Sequence, residues 1–193
     1  MVEKLSKDDA ISKLKDEDVE VRKLAVNSLE GVTDEDLILP LIETLNDENT
    51  PVKYKAAELL GAIGEPAVEP LLEVVKKEDG EYKRYASSAL KLTASPKAVE
   101  YFVEALDDED WGVRKVAVRS LGELKATETI DRIAEIMMEE EDWGVRLAAI
   151  RSLGDMEVEE AIAPIKKARR KEKDKDFKKA ANKAIKKIEK AIK

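Results

Sequence analysis

Cysteine and histidine are both absent from the 193 residues of this chain. Without cysteine there are no disulfides, and thiol usage says nothing about redox compartment. Without either residue, Ser-His and Cys-His nucleophile pairs and the common zinc and haem ligand sets are excluded from the chain. Aromatics make up only 4%, so any core must be aliphatic. Glycine (8) and proline (6) are scarce beside Ala, Leu, Glu and Lys, a bias toward helix and against strand. No apolar run approaches ~18 residues, so no membrane span is expected. The N-terminal stretch MVEKLSKDDA lacks the apolar core of a signal peptide, which leaves the cytoplasm as the default location. No glycine-rich phosphate loop is present.

What the chain has in abundance is charge, 40% of its residues, beside 43% hydrophobic residues. High charge without cysteine matches heat-adapted compositions, so a thermostable protein is expected. The net charge of −8 is unevenly distributed. From Pro164 to Lys193 there are 14 Lys and Arg against 4 Asp and Glu, so a +10 tail follows a body of −18. Such asymmetry points to a binding role, against the plainer reading of a solvated terminal helix.

The pentapeptide DWGVR occurs at Asp110–Arg114 and again at Asp142–Arg146. It belongs to a longer repeat. Anchors at Val21, Val52, Tyr82, Val113, Val145 and Phe177 are spaced 31, 30, 31, 32 and 32 residues apart. Each is followed four residues later by alanine and eight residues later by Leu or Ile. That spacing lines one face of a helix, helix B, and an invariant small residue lets a neighbouring helix approach closely. A second apolar pattern begins about 12 residues before most anchors and defines helix A, as in LILPLIETL from Leu37 and AVEPLLEVV from Ala67. Thr33 and Ser95-Pro96 read as helix starts, and Pro40, Pro70 and Pro164 predict bent A helices. The A–B turns are acidic (KDED, NDEN, KKED, DDED, EEED, KDKD), and the residue after each anchor is basic: Arg22, Lys53, Lys83, Arg114, Arg146 and Lys178. A ladder of ion pairs within and between repeats is expected, with a role in register before any large role in stability.

The unit LxxLxDED-x-x-VRxxAxxSLG, carried by Leu106, Asp108, Val113, Arg114, Ala117, Leu121 and Gly122, resembles HEAT repeats. It is most similar to the phycobilisome-lyase HEAT-like subtype. The likeness spans nearly the whole chain and weakens in the third repeat, where EDGEYKRYASSAL lacks the Val-Arg pair. It implies an all-α fold, an α-α superhelix (HEAT-like solenoid) of six helical hairpins, right-handed and roughly 50–60 Å long. One domain over residues 1–193 is expected, with repeats at about 5–32, 33–64, 65–94, 95–125, 126–157 and 158–193. The first and last hairpins are polar enough to act as caps, so a monomer is expected.

By the same resemblance, helix B lines the concave side. Positions two, six and nine after each anchor then face outward from it, and nine of these eighteen side chains are basic against two acidic. The predicted partner-binding residues are Lys23, Tyr54, Arg84, Lys115, Arg119, Leu147, Arg151, Lys179 and Lys183. Trp111 and Trp143 sit at the A–B turns, side by side along one edge. They are read either as covers for their own repeats or as paired anchors for a partner, with Gly112 and Gly144 turning the chain into helix B. Tyr85 and Tyr101 fall at core registers.

These features point to a non-catalytic protein–protein interaction scaffold whose basic concave groove takes an acidic protein partner. No catalytic residue, cofactor or metal is expected, since the carboxylates sit regularly in the turns. The metal-binding His-Glu pairs of the HEAT-repeat deoxyhypusine hydroxylases have no counterpart here. One alternative is nucleic-acid binding through the same basic stripe, as in HEAT-like DNA glycosylases. The other is a lyase-like accessory subunit. In bilin-lyase chemistry the attacking thiol belongs to the acceptor protein, so the missing cysteine does not exclude that role.

Overall fold

The computed structural model describes residues 4–193, and every regular element among them is helical. Twelve α-helices pair into six hairpins: α1 (Lys7–Lys13) with α2 (Val19–Ser28), α3 (Ile38–Thr44) with α4 (Thr50–Ile63), and α5 (Val68–Lys77) with α6 (Gly80–Leu92). They continue with α7 (Val99–Glu104) and α8 (Trp111–Glu123), α9 (Ile130–Glu139) and α10 (Trp143–Asp155), and α11 (Ile162–Lys171) and α12 (Lys175–Ala191). Odd-numbered helices are the A helices and even-numbered ones the B helices of the repeat. The chain forms two compact units, one ending at Ala98 and the other beginning at Val99, so each holds three hairpins. No described helix is long and apolar enough to cross a membrane.

The repeat registers hold in both units. Ala25, Ala56 and Ala86 in the first, and Ala117, Ala149 and Ala181 in the second, are all fully buried. Leu29, Leu60, Leu90, Leu121, Leu153 and Ile185, four residues further on, are buried with them. Successive B helices also come close at the next residue, the ninth after the anchor. A Cβ placed on Gly61 would lie 2.3 Å from Leu92 Cβ. One on Gly122 would lie 2.6 Å from Ser152 Cα, and one on Gly154 would lie 3.0 Å from Ala184 Cα. The ninth position after the anchor therefore faces the next B helix at these repeats. Gly122 and Gly154 are buried, contrary to their expected place on the outward face.

The acidic turn divides its labour. The acid or amide three residues before the anchor caps helix B: Asp18, Asn49, Asp110, Asp142 and Asp174 each accept from a backbone N–H of the first turn. The acid two residues earlier stabilises the turn and receives the previous repeat. Asp47 Oδ1 accepts from Asn49 N at 2.7 Å while its carboxylate takes Arg22 Nε at 2.6 Å. Glu140 does the same for Asp142 N and Arg114, and Glu172 for Asp174 N and Arg146. The arginines also hold the chain behind them: Arg114 Nη1 donates to the carbonyls of Asp108 and Glu109. In the third repeat the receiving position is Lys77, and Lys53 pairs instead with Glu81 at 2.6 Å. Lys178, in the sixth repeat, makes no ion pair among the described residues.

Pro40, Pro70 and Pro164 each stand third in their α-helices, just after a short 3₁₀ turn, where the missing N–H costs no mid-helix bond. Two local expectations are corrected. Thr33 is not a cap, because Asp34 holds that position, whereas Ser95 Oγ accepts from Lys97 N at 3.3 Å. Gly112 and Gly144 lie inside the first turns of α8 and α10 and do not turn the chain. Of the residues at positive φ, Gly80 opens α6, while Gly31, Gly64, Ala94, Lys125 and Glu157 follow the B helices.

Three outcomes follow from this packing. An exposed helical Gly→Ala change ordinarily stabilises by about 1 kcal/mol. Gly122→Ala should reverse that sign, because backbone of α10 blocks the new methyl, with a net loss of about 1–2 kcal/mol in denaturant unfolding. Ala94→Gly should raise the melting temperature, since an exposed alanine at φ +52° stores about 1 kcal/mol that glycine does not. Two backbone N–H donors and Arg146 hold the Glu172 carboxyl at about 2, below its ordinary 4.5. Stability from this depressed acid is complete above pH 4.5 and is lost as pH falls toward 2. Glu172→Gln should therefore flatten the acid limb of melting temperature against pH.

Candidate functional site

The B helices of the second unit, α8, α10 and α12, carry six of the nine predicted binding residues. Four of them, Leu147 and Arg151 on α10 and Lys179 and Lys183 on α12, line one groove between those helices, with a volume of about 420 Å³. Its floor is small because α10 and α12 touch there: Gly154, Ala180 and Ala184 leave room that larger side chains would fill. Its walls are cationic. Arg151, Lys179 and Lys183 make no ion pair among the described residues, and the guanidinium and both ammonium groups stand exposed. Asp176 marks the N-terminal end of the groove on α12. At the other end Lys187 is tied to Asp155 at 2.7 Å and lies 3.5 Å from Glu157, which also takes Lys125 at 2.6 Å. That network raises the Lys187 pKa, mainly through the Asp155 hydrogen bond, and lowers that of Glu157, mainly through Lys125.

The other predicted residues do not join this groove. Arg119 is exposed on α8 and leans on Glu123 at 3.5 Å. Lys115 is half-buried, with its ammonium 5.5 Å from the Trp111 ring and near where a Gly144 side chain would be. Lys23, Tyr54 and Arg84 belong to the first unit. Lys23 pairs with Glu20 at 2.7 Å, Tyr54 is 57% exposed and meets Tyr85 edge-on at 5.3 Å, and Arg84 is half-buried. Tyr85 and Tyr101 are buried.

The tryptophans occupy the first residue of their B helices. Trp143 packs on Phe177 of the next repeat with ring centroids 6.1 Å apart, and the Arg146 guanidinium lies over both rings at 5.4 and 5.0 Å. Each indole remains partly open, Trp111 45% and Trp143 39% exposed.

Sequence reasoning missed Lys187 and Asp155, which close the groove. Lys187 follows Lys183 by four residues, so helical periodicity carried the signal; the Asp155 pairing crosses helices and left none. A larger hollow of about 750 Å³ lies on the A-helix side, lined by Glu128, Asp131, Glu160 and Lys167 among others. It holds none of the predicted residues and mixes acids with one lysine, so size alone does not make it the site. No cluster of three acidic side chains placed to hold a metal occurs among the described residues.

HEAT-repeat profiles match residues 8–91, 68–140 and 99–186. Phycocyanobilin lyase subunit alpha of Synechococcus elongatus is 33% identical over 118 residues, 56% of this chain. The chain spans 42% of that relative's length. In fold, it is similar to a chain of the CpcE–CpcF complex of phycocyanin lyase from Nostoc sp. PCC7120, with TM-score 0.71 and 21% identity over 78% of this chain and 99% of that one. It is also similar to an engineered protein, with TM-score 0.61 and 20% identity over 96% and 97% of the two chains.

These matches correct the expectation that the chain is not an enzyme. That exclusion rested on missing histidine and cysteine, yet a relative at 33% identity is named as a lyase subunit. Missing side chains rule out certain nucleophiles and bases on this chain, not participation in a reaction whose reactive groups lie elsewhere. The recurring anchors, the buried alanine row and the profile matches across residues 8–186 together place this chain in the HEAT-repeat family.

Proposed function

We propose that this chain is a lyase-type subunit that works with a second protein. The carrying observation is its 33% identity over 118 residues to a phycocyanobilin lyase subunit. A subunit is one part of its enzyme, and the chain lacks the usual nucleophiles and bases, so it serves the reaction by holding and orienting other components. The α10–α12 groove suits such a role. Its small-residue floor admits an apolar body close to the helices, and its unpaired cations meet carboxylates. The Nostoc chain, similar in fold, is likewise found beside a second subunit.

The reading is tested by adding phycocyanobilin to the purified chain and following its visible absorbance. In parallel, the chain replaces the alpha subunit in a reconstituted attachment reaction with its cognate second subunit and acceptor. A bound-pigment spectrum or restored attachment is the expected result. A chain that neither perturbs the pigment spectrum nor supports attachment would overturn the lyase reading.

A further inference from the structure

The chemistry of the α10–α12 groove names its partner more closely. We infer that it takes an extended acidic segment of a protein, with carboxylates at alternating residues. The inference rests on the reading that the chain works with a second protein and adds what that protein must present.

Charge comes first. Arg151, Lys179 and Lys183 line one groove, all exposed and none neutralised by an acid of this chain. Cations on the earlier B helices are often paired, Lys23 with Glu20, Lys55 with Glu30 and Glu58, and Arg119 with Glu123, whereas on α12 Lys175, Lys178, Lys186 and Lys190 make no ion pair among the described residues either; what sets Arg151, Lys179 and Lys183 apart is that they converge on one groove. Lys179 and Lys183 belong to the +10 stretch from Pro164 to Lys193, where carboxylates are scarce, so the groove keeps an uncompensated positive charge that a partner's acids would neutralise.

Spacing comes second. Lys179 and Lys183 are one helical turn apart, about 6 Å along the α12 axis. Side chains two residues apart in an extended chain are separated by about 6.6 Å. A strand-like segment laid along α12 therefore brings alternate carboxylates to Lys179 and Lys183, with Arg151 reaching across from α10. Carboxylates at that spacing let each lysine take its own acid without bending toward the other.

Shape comes third. The groove is open along its length and floored by Gly154, Ala180 and Ala184, so a backbone can lie close to the helices. Asp176 repels a carboxylate at the N-terminal end, and the Asp155–Lys187 pair closes the other. Both ends thus set the register of the acids between them. A nucleic-acid strand fits less well, because its continuous row of phosphates would have to pass Asp176.

The test uses the full chain and a dye-labelled octapeptide alternating Glu and Ala, read by fluorescence anisotropy at low salt. Wild type should bind it more tightly than an octapeptide of equal composition with its four Glu contiguous. The double reversal Arg151→Glu with Lys183→Glu should weaken binding about tenfold or more. The same change of net charge at Lys186→Glu with Lys190→Glu, on exposed positions outside the groove, should weaken it less than about twofold. Circular dichroism should show equal helix content in all three proteins, and Arg151→Gln with Lys183→Gln gives a milder second variant that should also lose binding. The inference is overturned if wild type does not bind the alternating peptide or does not prefer it to the contiguous one. It also falls if both reversals weaken binding equally, or if single-stranded DNA or anionic vesicles compete more strongly than the peptide. Loss of peptide binding with pigment handling intact removes the groove assignment alone. Peptide binding without pigment handling removes the lyase reading alone.

Discussion

The distance at which one B helix lies on the next governs both units of this protein. Helices pack at 8–10 Å depending on the side chains between them, and here those side chains are as small as they come. The buried alanines four residues after each anchor set the approach, and Gly61, Gly122 and Gly154 bring the backbones closer still. No hairpin can bury its flank alone, so every hairpin needs its neighbour. The aliphatic core, with aromatics at only 4%, follows from that demand: bulky rings would hold the layers apart. Where a ring does reach across repeats it lies at the start of helix B, as Phe177 does beneath Trp143 and Arg146.

Close approach alone leaves register loose, and the acidic turns supply it. One carboxylate bonds the N–H of its own turn and the arginine of the repeat before it, and a second caps the helix that follows. Turn geometry and repeat spacing are therefore set by the same short motif. The energetic weight varies along the ladder. Arg22 and Asp47 are nearly enclosed, whereas the Arg114 and Arg146 pairs keep some solvent. Enclosed pairs cost desolvation, which the extra bonds from Arg22 to the Asp16 and Glu17 carbonyls offset.

The groove is a by-product of the same packing. Where α10 and α12 come together over Gly154 and Ala184, their outward side chains must diverge, and the space between them is walled by Arg151, Lys179 and Lys183. A repeat protein needs no catalytic side chain of its own to contribute to a reaction; it needs a surface whose charge and contour select one component and hold it. We propose that the α10–α12 groove does that kind of work.

Local and periodic features were legible in the sequence by itself. The helix pairs, the buried alanine row and the basic residues of the ladder all repeat at fixed offsets, and helical periodicity translates an offset into a face. Tyr85 and Tyr101 were placed in the core on the same ground. Contacts between helices from different repeats were decided only in three dimensions. Periodicity assigns the ninth position to the outward face, but the approach of successive B helices buries Gly122 and Gly154 there. It treats Lys115, Lys179 and Lys183 as equivalent cations, although Lys115 lies by Trp111 and the other two face an open groove. It also gave no sign that Lys187 would be held by Asp155, because that pair joins residues 32 apart across two helices. A side chain's direction along its own helix follows from the sequence; what it meets depends on the helix beside it.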